Sequence, residues 1–255
     1  MSIEDKIIEL QEIYNFNSYQ IFQIRKGLQT GLDVSVYARP EFNDKQMDII
    51  REGIVNNIDV SVYAKPEFNY EQMYEIGQGL LKGLDVSVYA KLEFNDEQME
   101  EIREGLSEGL DVSVYSKSEF DRRQMYEIRR GLEANLDVSL YAKPEFTCEQ
   151  MDEIRSGLAL GLDVSVYTKP EFKWKQMREI RLGLKEGFDV SVYAKPELDL
   201  KQMCKIRIGL EKVESITDTN KLKWCRENAP EFMKDMSDED ILKNMEHAYN
   251  ETHKK

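Results

Sequence analysis

A repeat of 26 residues organises almost the whole chain. The phrase GLDVSVYAKPEF, or a close variant, recurs seven times, and the phrase QMxEIRxGL lies between its copies. Seven whole units run from Gln20 to Lys201, and an eighth begins at Gln202 and fades after Leu210. A period in the range of about 20–50 residues indicates units that stack on their neighbours and share one continuous core.

The first half of each unit predicts an α-helix. In the copy that begins at Asn95, this residue is the expected N-cap, and Gln98 completes a capping box. Met99, Ile102 and Leu106 then form one apolar stripe, with the Glu and Arg of EIR beside it as a candidate ion-pair ladder between units. The N-cap position of the other units holds Asn, Asp, Thr or Lys: Asn43, Asn69, Asp121, Thr147, Lys173 and Asp199.

Two glycine positions mark each helix. The first lies at the expected helix end and holds only Gly or Asn, which accept the left-handed backbone of a C-cap. Its members are Gly31, Asn57, Gly83, Gly109, Asn135, Gly161 and Gly187. The second lies inside the helix, as at Gly105, where it costs about 1 kcal/mol relative to Ala. We therefore expect a neighbouring backbone to approach too closely for a side chain.

The second half of each unit, LDVSVYAKPEF, admits two interpretations. The alternation of Leu110, Val112 and Val114 is compatible with a strand, although the leucine-rich-repeat signature is absent. Asp111 as an N-cap, and the Lys-Pro that ends the segment in most units, favour a short helix over Val112–Ser116. We expect the aspartates at this position to cap helices rather than bind calcium, and the tyrosines that follow to lie in the core.

The prediction is thus an all-α fold, an α-solenoid of seven 26-residue long-helix/short-helix repeats with helical caps at both ends. Residues 1–19 form the N-terminal cap, with a helix over Ile3–Tyr14, and residues 20–213 form the solenoid. Residues 214–255 form a C-terminal helical cap or, alternatively, a separate partner-binding tail. In that segment we predict a polar link over 214–221 followed by short helices over 223–228, 230–236 and 238–249.

The pattern QMxEIRxGLxxGLDVSxYAxPxF resembles the tandem 26-residue helical repeats found in proteins of Firmicutes and of their phages and mobile elements. The resemblance covers about residues 16–213. It implies an α-solenoid of bacterial or phage origin and transfers no site residues. The chain departs from the pattern where Leu92 and Ser118 replace proline and where Gly77 replaces arginine.

Charge constrains the partners. The net charge is −14, whereas binding to a phosphate backbone requires clustered Lys and Arg, so we expect no direct binding to nucleic acid. The four units that begin at Gln46, Gln72, Gln98 and Gln124 together carry −11. This acidic band is either a solubilising surface, a surface for a basic protein partner, or a nucleic-acid mimic.

The sequence predicts no catalytic, metal-binding or cofactor-binding residues. A residue repeated seven times is a poor catalyst candidate, and no nucleophile motif, phosphate loop or metal motif occurs. The cysteines, Cys148, Cys204 and Cys225, have neither disulfide nor zinc spacing, which favours the reducing cytoplasm. No membrane span is expected, because no apolar run reaches about 18–20 residues.

Specific function is best sought where the units differ. Exposed Tyr and Trp are typical contact residues, so Tyr70, Tyr74, Tyr126 and Trp174 are predicted to contact a partner. Charged contacts are predicted at Glu100, Glu101, Glu104 and Glu108. The hypothesis is a non-enzymatic protein–protein interaction scaffold, possibly a phage or mobile-element inhibitor of a bacterial defence protein. The alternatives are a nucleic-acid mimic, a structural repeat protein, and an enzyme with its site in the C-terminal segment.

Overall fold

The computed structural model describes residues 2–228, 237, 238, 240 and 241, with residues 212–218 described by their backbone alone. Throughout this part of the chain, all regular structure is helical. The prediction of an all-α repeat solenoid is therefore confirmed.

Nine α-helices alternate with seven 3₁₀ helices in the described residues. The α-helices are α1 Ile3–Tyr14, α2 Ser18–Gln29, α3 Asp44–Val55, α4 Tyr70–Leu81, α5 Asp96–Ser107, α6 Arg122–Glu133, α7 Cys148–Ala159, α8 Trp174–Lys185 and α9 Leu200–Asn228. The 3₁₀ helices are η1 Val34–Val36, η2 Val60–Val62, η3 Val86–Val88, η4 Val112–Val114, η5 Val138–Leu140, η6 Val164–Val166 and η7 Val190–Val192.

The helices fall into two compact units, residues 1–159 and 160–255. In the first unit, each α-helix from α1 to α6 packs on the next one, and in the second α8 packs on α9. The core of both is a set of ladders in which each repeat contributes the same buried positions, such as Met99, Ile102 and Tyr115. The seven tyrosines that recur after the DVSV segment, such as Tyr115, are fully buried, which confirms the prediction that they lie in the core.

The long helices begin and end as their cap residues require. Asn95 accepts a hydrogen bond from the Gln98 N–H at 2.8 Å, and the Gln98 side chain accepts from the Asn95 N–H at 2.9 Å. Lys173 is the exception, because its side chain makes no cap hydrogen bond. At the other end, Gly109 has φ +73° and Asn135 has φ +53°, so both adopt the left-handed conformation that was predicted for this position.

The capping glutamine also joins neighbouring repeats. The Gln98 side-chain NH₂ donates to the carbonyl oxygen of Phe120 at 2.7 Å, 22 residues later. The same bond, at 2.6–2.7 Å, is made by Gln20, Gln46, Gln72, Gln124 and Gln176. A glutamate could accept the cap N–H but could not donate to a carbonyl, which explains why this position holds glutamine.

The second half of each unit is a short helix and not a strand. It is a single 3₁₀ turn, Val112–Val114 in the unit described above, and is therefore shorter than the five residues predicted. Asp111 accepts a hydrogen bond from the Ser113 N–H at 3.1 Å, and the Tyr115 N–H donates to the Val112 carbonyl at 3.0 Å. The aspartates at this position are caps, as predicted.

The interior glycines make room for a side chain rather than for a backbone, so the expectation of a close backbone is wrong. A Cβ added at Gly105 would collide with the hydroxyl of Tyr115 and lie 2.9 Å from Cγ1 of Val112. The Tyr115 hydroxyl in turn donates to the carbonyl oxygen of Glu101 at 3.1 Å. Gly105 therefore admits the buried tyrosine of its own repeat to the helix surface, as do Gly27, Gly53, Gly79, Gly131 and Gly183, whereas nothing lies within 4 Å of a Cβ at Gly209.

The ends of the chain depart from the sequence prediction in part. Helix α1 has the predicted bounds, but of its apolar residues Ile7 is buried while Ile8, Ile13 and Tyr14 are exposed. The predicted polar link over 214–221 is wrong, because α9 continues through it to Asn228. The predicted helix over 230–236 and most of that over 238–249 lie outside the described residues.

Candidate protein-interaction surface

Arginine–glutamate pairs cross from four of the long helices, α5, α6, α7 and α9, to the helix before. The arginine Nε contacts the glutamate 28 residues earlier at 2.6 Å in Arg103–Glu75 and at 3.0 Å in Arg129–Glu101. The same pair recurs in Arg155–Glu127 at 2.7 Å and in Arg207–Glu179 at 2.9 Å. Burial raises the pKa of the Glu75, Glu101 and Glu127 carboxyls, and the paired arginine acts against that rise.

Arg129 gathers most of the glutamates that the sequence analysis assigned to a partner. Besides Glu101, its guanidinium contacts Glu104 at 2.7 Å, Glu108 at 3.3 Å and Glu133 at 2.7 Å. Burial disfavours the charged form of Arg129, but the hydrogen bond to Glu101 and the nearby carboxylates raise its pKa. Glu101 is only 3% exposed and is therefore not available at the surface.

Glu100 lies outside the Arg129 cluster. It accepts a hydrogen bond from Arg122 at 3.2 Å and is partly exposed. Glu100, Glu104 and Glu108 remain at the surface, but each already contacts an arginine of this chain. The acidic band keeps its net charge of −11 with these arginines counted, and direct contact with a partner stays a prediction for these three residues.

A ridge of outward-facing side chains runs along the first unit, at the third residue of the QMx phrase. We call this the outer ridge, and it consists of Phe22, Asp48, Tyr74, Glu100, Tyr126 and Asp152. Phe22, Tyr74 and Tyr126 are 53%, 46% and 41% exposed, although aromatic rings of this size are usually covered. Because packed helices lie about 8–10 Å apart, the rings recur roughly every 20 Å with an acidic residue between them.

The remaining predicted aromatic contacts are less exposed. Tyr70 is half-buried at the start of α4, and the ammonium of Lys45 lies 4.1 Å from its ring centroid. Trp174 begins α8 in the second unit, with the Lys175 ammonium 5.3 Å from its ring. The structure thus brings Tyr74 and Tyr126 onto one ridge, with Glu100 between them, and places Tyr70 beside Tyr74 in a groove described below.

No family model, curated protein or solved structure matches the chain. Within residues 2–228 and the four described positions beyond them, no group of His, Cys, Asp and Glu side chains is arranged to hold a metal ion. In the same part of the chain no helix combines the length and apolar character of a membrane span.

Sequence reasoning missed Phe22 and Ile49 and noticed Gly77 only as a departure from the repeat pattern. Phe22 escaped because its unit reads QIF rather than QM followed by a variable residue, although counting back 26 from Asp48 finds it. Ile49 and Gly77 lie 28 residues apart, which is the offset of the arginine–glutamate ladder. Their link becomes visible only once the structure shows which residues that ladder joins.

Proposed function

We propose that the chain is a non-enzymatic protein-binding scaffold that docks a protein with a basic surface along the outer ridge. The observation that carries this proposal is the ridge itself, where exposed aromatic residues recur every second repeat on a strongly acidic unit. Exposed aromatic residues contribute most of the binding energy in many protein interfaces. The surrounding negative charge would attract a basic partner and accelerate association.

Two further features support the finer parts of the proposal. The resemblance to repeats of Firmicutes, phages and mobile elements supports a bacterial partner, and a defence protein bound by an inhibitor is the specific hypothesis. The absence of disulfides at all three cysteines agrees with action in the cytoplasm.

The test is affinity capture from a bacterial lysate with three immobilised proteins: the wild type, the ridge variant Phe22→Ser/Tyr126→Ser, and the control Val36→Ser/Leu92→Ser. The control also replaces two exposed apolar side chains, but away from the ridge. We expect wild type and control to retain the same protein, added salt to release it, and the ridge variant to lose it. Equal retention by all three, or capture of nucleic acid alone, would contradict the proposal.

A further inference from the structure

The arginine–glutamate ladder has no pair between α3 and α4, and between α2 and α3 its arginine, Arg51, donates to Gln23 at 3.4 Å instead of to a glutamate. Between α3 and α4 the arginine position is filled by Gly77, and the residue 28 positions earlier, which should be glutamate, is Ile49. At the equivalent place two repeats later, Arg129 contacts four carboxylates, those of Glu101, Glu104, Glu108 and Glu133. Their equivalents around Gly77 are Ile49, Glu52, Asn56 and Leu81, so three of the four acids are absent together with the arginine.

Neither packing nor backbone geometry accounts for Gly77. A Cβ at this position would lie 3.7 Å from the hydroxyl of Tyr63, which is ordinary van der Waals contact. Gly79 in the same helix differs, since a Cβ there would collide with the hydroxyl of Tyr89. An interior glycine costs about 1 kcal/mol of helix stability relative to alanine. At residue 77 the glycine relieves no clash, and the missing side chain leaves open space beside the helix.

That space is a groove between α3 and α4. Its apolar lining includes Gly77, Ile49, Ile58, Tyr74 and Leu81, its polar lining consists of Glu52, Asn56 and Gln78, and its volume is about 50 Å³. This is room for several water molecules, at about 10–15 Å³ each, and hence for an apolar side chain. Tyr74 and Leu81 are both 46% exposed at its mouth.

The groove continues past Ile49 and Tyr74 into a wider depression of about 200 Å³. Its lining adds a second ring and four carboxylates, from Tyr70, Glu71, Glu75, Asp96 and Glu100. We call the two parts together the α3–α4 groove.

The carboxylates of the α3–α4 groove are unequally compensated. Glu75 is paired with Arg103 at 2.6 Å and Glu100 with Arg122 at 3.2 Å. No arginine or lysine of the described residues forms an ion pair with Glu71 or Asp96. The apolar end of the groove thus adjoins a mouth with two uncompensated negative charges, which complements an apolar side chain next to a cation.

We propose that the α3–α4 groove binds a segment of a partner protein in which an aliphatic side chain adjoins an arginine or lysine. The aliphatic side chain packs against Ile49, Tyr74 and Leu81 above Gly77. The cation lies between the Tyr74 ring and the carboxylates of Glu71 and Asp96, where the ring face and the negative charge both attract it, while the Lys45 ammonium already lies against the Tyr70 ring. This inference rests on the proposed function and names the recognition point within the scaffold.

The decisive variant restores the repeat. Ile49→Glu/Gly77→Arg rebuilds the ladder pair that the next two repeats carry in Arg103–Glu75 and Arg129–Glu101, and it fills the groove with the arginine side chain. Because it replaces an interior glycine, we expect it to fold with an unchanged or higher melting temperature. Ser118→Pro, which also restores the repeat consensus but in a loop outside the groove, is the matched control.

The probes are three synthetic peptides on one Gly/Ser background, carrying Leu-Arg, Leu-Glu or Ala-Ser at the centre. Each is titrated in excess into ¹⁵N-labelled protein while amide resonances are followed. We expect the Leu-Arg peptide to shift the amide resonances of Tyr74 and Gly77 in the wild type and in Ser118→Pro. In Ile49→Glu/Gly77→Arg, the amide resonances should not shift when the peptide is added. The inference is overturned if the Leu-Glu peptide causes equal shifts, or if no peptide shifts these amide resonances.

Affinity capture separates this inference from the proposed function. If the ridge variant and Ile49→Glu/Gly77→Arg each bind the captured protein at least about tenfold more weakly than the wild type, the result supports the scaffold function and the α3–α4 groove. Loss in the ridge variant with full retention by Ile49→Glu/Gly77→Arg overturns the groove and leaves the scaffold standing. Retention of the captured protein by both variants overturns both the scaffold function and the α3–α4 groove.

Discussion

Gly77 and Gly79 offer a direct test of the packing account, because they lie in one helix and differ in what surrounds them. Alanine at residue 77 meets only ordinary contact with Tyr63, so the gain in helix propensity should stabilise the protein by about 1 kcal/mol. Alanine at residue 79 collides with the hydroxyl of Tyr89 and lies 2.8 Å from Cγ1 of Val86. Overpacking of this kind costs about 1–3 kcal/mol.

Displacing the Tyr89 hydroxyl adds a second cost at residue 79. The hydroxyl donates to the Glu75 carbonyl oxygen at 3.0 Å, and losing this buried hydrogen bond costs about 1 kcal/mol. After subtracting the helix-propensity gain, Gly79→Ala should destabilise the protein by about 1–3 kcal/mol. The two alanine variants should therefore differ by about 2–4 kcal/mol in urea unfolding followed by circular dichroism.

A double-mutant cycle identifies the clashing atom. Gly79→Ala/Tyr89→Phe removes the hydroxyl, so its destabilisation should be smaller than the sum of the two single effects by about 1–2 kcal/mol. Val86 still approaches the new methyl group, so rescue should be partial. The reasoning is refuted if Gly79→Ala is as stable as Gly77→Ala, or if the cycle is additive.

Three more predictions concern the links within and between repeats. Gln98→Glu should destabilise the protein by about 1–3 kcal/mol in urea unfolding, because the carboxylate cannot donate to the Phe120 carbonyl; an unchanged midpoint would contradict this. Arg129→Met should cost about 3–5 kcal/mol at neutral pH, because it leaves Glu101 buried and unpaired, and the cost should shrink in mild acid as Glu101 becomes protonated. Burial raises the pKa of Tyr37 to about 12, so its contribution to stability is present below the unfolded-state pKa near 10 and is lost as the pH rises from about 10 to 12. The tyrosinate absorbance that is missing in Tyr37→Phe should therefore appear only together with the loss of circular dichroism, and its appearance near pH 10 in the folded protein would contradict the burial argument.

Local signals in the sequence were sufficient for the helices and their ends. The cap at Asn95, the capping box with Gln98 and the left-handed stop at Gly109 each involve residues within one or two turns of each other. Such interactions repeat with the period and are visible in any one unit. The short second helix was also predictable, because Asp111 caps it locally, although its 3₁₀ form was not.

Contacts between distant residues were predictable only in part: the EIR phrase indicated an ion-pair ladder between units, which the structure shows, but not which residues it joins. The donation from Gln98 to Phe120 and the insertion of Tyr115 against Gly105 depend on how the halves of the units pack. The burial of Glu101 follows from Arg129 of the next helix, which is 28 residues away. At the C-terminal end, the polar composition of residues 214–221 indicated a link, yet the chain continues there as helix.

The candidate site, too, could be predicted from the sequence only in part. The aromatic residues Tyr74 and Tyr126 were predicted from their variability between units, and the structure places both on the outer ridge. The groove beside them was not predicted, because its two decisive residues, Ile49 and Gly77, look unrelated until the ladder offset is known. Gly77 alone was noticed, as a departure from the repeat pattern.

The central claim is that the outer ridge binds a protein partner, and titration calorimetry with the captured protein tests it most directly. The ridge variant Phe22→Ser/Tyr126→Ser should bind at least about tenfold more weakly than the wild type, at an unchanged melting temperature. The control Val36→Ser/Leu92→Ser should bind like the wild type, and wild-type affinity should fall as salt is added. Equal affinity of the ridge variant and the control, with no dependence on salt, would contradict the account.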